Sequence, residues 1–63
     1  MIFLITQMIT KNNGTKDYIW HETHGGTYRS LKKRLRVLTS EHPLIDFRVF
    51  KLSTDGTKTL INI

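Results

Sequence analysis

The sequence predicts a small α+β domain: an antiparallel sheet carrying one basic amphipathic helix, in the order ββαββ. Three observations carry that expectation. A helical 3, 4, 3 spacing of apolar residues occurs only between Thr27 and Ser40. On both sides of that stretch lie short runs rich in β-branched and aromatic residues. Asn13-Gly14 and Asp55-Gly56 interrupt those runs, and such pairs favour tight hairpins.

Ile2 to Thr10 is the first expected strand. Ile2, Leu4, Thr6 and Met8 alternate with Phe3, Ile5, Gln7 and Ile9, so both faces are largely apolar. One helix can cover only one face of a small sheet, so the other face needs a partner chain, a ligand or a curled sheet. Lys11 to Lys16 forms the turn. Asp17 to Thr23 is the antiparallel return, with Tyr18, Trp20 and Glu22 on one face and Ile19, His21 and Thr23 on the other.

Gly25-Gly26 lets the chain turn, and Thr27 is placed to cap the helix through its hydroxyl. Tyr28, Leu31, Leu35 and Leu38 then fall within an arc of about 80°. Pro43 stops the helix, because the residue before a proline disfavours the α region. Leu44 to Leu52 reads as a third strand with Ile45, Phe47 and Val49 toward the helix. Thr57 to Ile63 reads as the fourth, with Leu60 on one face and Ile61 and Ile63 on the other. This leaves Phe50, Leu52, Ile61, Ile63 and half of the first strand as a second apolar set, which points to a homodimer.

The 63 residues are expected to form one domain, residues 1–63, with a small core. Without cysteine the chain has no disulfide to staple it, and dimerisation is the remaining support. The apolar start MIFLITQMI lacks a basic leader and a cleavage site and is too short to span a bilayer. A soluble, cytoplasmic protein is expected, with no membrane partner, since the helix's apolar stripe is needed to cover the sheet.

Charge is the strongest functional signal. The chain carries ten Lys plus Arg against five Asp plus Glu, for a net charge of +5. Arg29, Lys32, Lys33, Arg34 and Arg36 lie in the helix, which contains no acid between Thr27 and Ser40, while the bases and acids elsewhere balance. Arg29, Lys32, Lys33 and Arg36 gather on one flank of the apolar stripe, and Arg34 lies on the other. Like charges three or four residues apart repel, and cations near a helix start oppose its dipole. An external polyanion would relieve both effects. Nucleic acid is the expected partner, RNA ahead of DNA, because no helix-turn-helix is present to read a major groove. Arg48 and Lys51 are expected accessory contacts, with Lys58, and Thr27 beside the glycines is a further candidate for a phosphate. Tyr18 and Trp20 share a face on which bases could stack, but a lone tryptophan in so small a domain reads first as core.

No catalytic signature is present, and no enzyme activity, cofactor or metal is expected. His21, Glu22 and His24 do not follow metalloprotease spacing, and strand alternation sends the two histidines to opposite faces. A ribonuclease built on His24, His42 and an arginine is chemically conceivable, but nothing in the sequence brings those groups together.

In its cysteine-free single-domain format and its lone basic helix, YRSLKKRLRVL from Tyr28 to Leu38, the chain resembles the small early proteins of T-even-type bacteriophages. That resemblance implies an inhibitor of a host defence factor such as a toxin ribonuclease, acting in the host cytoplasm and in some cases through RNA. It assigns no functional residue. The leading expectation is therefore a regulatory or inhibitory RNA-binding protein. Its rival is an antitoxin-like inhibitor that docks its basic face on an acidic protein surface.

Overall fold

The structure, a computed structural model, describes residues 1–62. The elements are β1 (Ile2–Thr10), β2 (Lys16–Gly25), α1 (Tyr28–Glu41), β3 (Phe47–Leu52) and β4 (Lys58–Ile61). This is the expected ββαββ order. The four strands form one sheet in the order β2-β1-β3-β4, with every neighbouring pair antiparallel. Because β2 and β3 both oppose β1, they run parallel to each other. The helix joins them by crossing over β1, a split β-α-β arrangement.

That crossing explains the core. Phe3 and Ile5 of β1 meet Leu31 and Leu38 of α1 and Val49 of β3, and all five are buried. Leu35, Phe47 and Ile61 pack around them half-buried. Tyr28 completes the helical stripe by meeting the Phe3 ring edge-on, 6.0 Å between centroids. The helix begins at its expected cap: the Thr27 hydroxyl accepts from the Ser30 amide at 3.2 Å. It ends at Glu41, with His42, the residue before Pro43, already outside the α region. Both hairpins turn on glycines with positive φ, Gly14 at 86° and Gly56 at 89°.

The strand ends differ from expectation where the backbone is paired differently. β3 starts at Phe47 rather than Leu44, since His42 to Ile45 forms a turn closed by the Ile45 amide on the His42 carbonyl. β4 spans Lys58–Ile61, and Ile63 lies outside the described residues. β2 extends to Gly25 because Phe3 and Ile2 supply partners for His24 and Gly25.

The largest departure is a bulge in β2. Ile5 lies opposite Glu22 and Thr6 opposite Trp20, which leaves His21 as an extra residue. Alternation restarts there. Glu22 moves to the helix side with His24, and Thr23 joins Tyr18 and Trp20 on the far side, where the Trp20 indole N–H donates to the Thr23 hydroxyl at 3.1 Å. The simple two-residue period therefore misplaced Glu22 and Thr23.

Candidate nucleic-acid interface

Helix α1 has two flanks with different electrostatics. On the side facing β2, Arg34 makes a two-pronged ion pair with Glu22: Nε donates to Oε2 and Nη2 to Oε1, each at 2.8 Å. These bonds hold the Glu22 carboxyl below its ordinary value of 4.5 against partial burial, which pushes the other way; the Arg34 charge and the nearby His21 and His24 add to the lowering. The expectation that no acid compensates the helix is corrected here. Glu22 does so for Arg34, and the bulge at His21 is what brings it within reach.

The other flank is different. Tyr28, Arg29, Lys32, Lys33 and Arg36 surround one shallow surface depression of about 450 Å³. Lys32 Nζ lies 5.5 Å from the centre of the Tyr28 ring, a cation–π arrangement. Among the described residues, no carboxylate pairs with any of these four cations. The first turn of the helix carries no acid either. The four positions expected to group together do so.

The accessory positions scatter. Arg48 is held by Asp46 at 3.0 and 3.2 Å and lies on the sheet face away from the helix, as the partner of Thr6. Lys51 pairs with Phe3 and so shares the helix side. Lys58 is opposite Leu52, on the far side. Thr27 is occupied with capping, and the neighbouring Gly26 amide donates to the Met1 carbonyl at 3.0 Å. The Thr27 hydroxyl and the Gly26 amide are thus already engaged by the protein itself.

His24 belongs to this start. Ser30 Oγ donates to the Thr27 carbonyl at 2.8 Å, which uses its one proton. The 2.9 Å contact between His24 Nε2 and Ser30 Oγ therefore has the imidazole as donor. His42 sits at the opposite end of the fourteen-residue helix, roughly 20 Å away at 1.5 Å per residue. The two histidines cannot meet on one scissile bond. His42 instead lies against His21 and Phe47, with ring centroids 6.2 and 6.4 Å distant. The bulge also puts His21 and His24 on the same side of the sheet rather than on opposite ones. Even so, the described residues contain no group of three ligating side chains fit to hold a metal.

Two features escaped the sequence. Trp20 is not core: it is 63% exposed, on the sheet face that the helix leaves bare. A second groove, about 470 Å³, runs between the helix and β3–β4, with Lys32 and Arg36 on its rim and Leu35, Phe47 and Ile61 on its floor. No described helix is long and apolar enough to cross a membrane. No protein-family model matches the chain, and no curated protein or solved structure does, so its function is read from these side chains.

Proposed function

We propose that this chain is a non-catalytic nucleic-acid-binding protein, taking RNA in preference to DNA, with Arg29, Lys32, Lys33 and Arg36 on the phosphate backbone. One observation carries this reading: four cations share one depression with no acid among the described residues paired to them, whereas Arg34 and Arg48 are both neutralised. Holding like charges together costs free energy in the isolated protein. A polyphosphate offsets it, because each phosphate neutralised releases condensed counterions. Contacts of this kind are independent of sequence. Lys51, on the helix side, extends the same surface, while Arg48 and Lys58 face away from it.

Such a protein would act by sequestering RNA or blocking a factor that processes it, in the cytoplasm of the cell or of a host. The same flank suits an acidic protein surface, and nuclease treatment separates the two. The test is filter binding of nuclease-treated protein to single-stranded RNA, double-stranded RNA and duplex DNA. RNA retention is expected, with a log–log salt slope near −3 for four phosphates at about 0.7 each. Protein that purifies without nucleic acid and retains none of the three at moderate salt overturns the reading.

A further inference from the structure

We propose that the bare face of the sheet is covered by a second copy of this chain, giving a face-to-face dimer with the two helices outermost. This inference stands apart from the nucleic-acid reading.

The face is defined by register. Ile2, Leu4, Thr6 and Met8 of β1 point away from the helix, and their partners Tyr18, Trp20, Phe50 and Leu52 point the same way, as does Leu60 opposite Phe50. Trp20 is 63% exposed, Leu60 50%, Ile2 47% and Tyr18 36%. Four large apolar side chains are thus exposed on this face, with Leu4, Met8, Phe50 and Leu52 partly buried between them, against five in the buried core. The molecule is only 17 Å thick along its shortest axis, one helix layer on one sheet. A sheet with two apolar faces needs a layer on each.

The area suffices. A large aromatic buries 150–250 Å² when covered. At their present exposure Trp20 and Tyr18 still have roughly 200 Å² to lose, a quarter of the ~800 Å² that each partner gives to a standard interface. Ile2, Leu60 and the partly buried Leu4, Met8, Phe50 and Leu52 supply more.

The polar groups are arranged as an interface requires. Lys16 and Lys58 occupy diagonally opposite corners, at the outer ends of the two edge strands. Arg48 is neutralised by Asp46, and the central Thr6 hydroxyl donates to the Arg48 carbonyl at 2.8 Å. The centre is therefore apolar apart from Thr6 and the Arg48–Asp46 pair, whose polar groups are satisfied, and the unpaired lysines are at the rim. Stacked nucleic-acid bases are the less fitting occupant. Five aliphatic side chains (Ile2, Leu4, Met8, Leu52 and Leu60) present no ring, Phe50 is held edge-on by Tyr18 at 5.1 Å, and the one central cation is already paired.

Equilibrium sedimentation of the unsubstituted chain tests this, alongside Leu60→Lys and Trp20→Glu. The unsubstituted protein should have twice its 7.4 kDa chain mass, and each variant should sediment as a folded monomer. Emission from Trp20, the one tryptophan, should shift to the blue as the unsubstituted protein associates. If either variant unfolds, the melting midpoint of the unsubstituted protein decides, since a dimer-stabilised fold melts higher at higher concentration. A monomer with a concentration-independent midpoint overturns the proposal. So does a dimer that both substitutions leave intact, or a monomer whose Trp20 emission is quenched by single-stranded RNA.

Discussion

Glu22 and Arg34 are joined by two parallel hydrogen bonds of 2.8 Å, from the second strand to the far flank of the helix. The apolar stripe sets the helix's rotation over the sheet, and the pair divides its charge into a neutralised side and an open one. Both side chains remain partly exposed, 26% and 41%, so water screens the attraction. Replacing Glu22 with Gln should cost on the order of 1 kcal/mol, at the upper end for exposed pairs because the geometry is two-pronged. The same substitution releases Arg34 for phosphate, so RNA affinity should rise and its salt dependence should steepen. Urea melts and salt-titrated filter binding check the two halves separately.

The pair also sets a pH dependence. Arg34 lowers the Glu22 carboxyl below its ordinary 4.5, so the folded state holds the proton less tightly than the unfolded one does. The stabilisation is complete above that ordinary value and disappears as pH falls through the lower, folded one. The melting temperature of the unsubstituted protein should therefore drop on acidification below about pH 4.5 more steeply than that of Glu22→Gln. Parallel curves would show that the ion pair contributes nothing.

Core substitutions should rank by depth. Leu31 and Leu38 are fully buried against β1 and β3, and Leu35 only partly. Leu31→Ala or Leu38→Ala should cost ~2–5 kcal/mol, a large share of the stability of a domain this small, with Leu35→Ala costing less. Circular dichroism melts of the three variants establish the order.

At the helix start, Thr27→Ala removes the acceptor for the Ser30 amide and should cost about 0.5–2 kcal/mol. Thr27→Ser keeps the oxygen and should restore most of that loss. Because the hydroxyl caps the helix, RNA affinity should change little in either variant once the protein is folded.

Most of the frame was legible in the sequence, for physical reasons. The helix was marked by a 3.6-residue period, a capping threonine and a proline stop, each a local effect. The hairpins were marked by Asn-Gly and Asp-Gly, whose glycines adopt the positive φ that the turns need. The grouping of Arg29, Lys32, Lys33 and Arg36 followed from helical geometry alone. What local pattern could not show was pairing across the sheet. The bulge at His21 shifts the register of β2 against β1 between Ile5 and Thr6, and it brings Glu22 to Arg34. Trp20 was expected inside on size alone. Its place on the bare face depends on which side of the sheet the helix crosses, a long-range outcome. Likewise Leu60, not Ile61, joins that face, because Val49 pairs with Ile61 and Phe50 with Leu60.

We propose that the open flank of the helix binds RNA while its stripe of leucines holds the fold. Charge reversal of Lys33 and Arg36 to Glu, with filter binding to single-stranded RNA and a thermal melt on the same samples, separates the two roles. Both residues are exposed, and reversal relieves repulsion along the helix. RNA retention should be lost at moderate salt, and the melting temperature should be unchanged or slightly raised. RNA binding that survives the double reversal, or a variant that no longer folds, would contradict it.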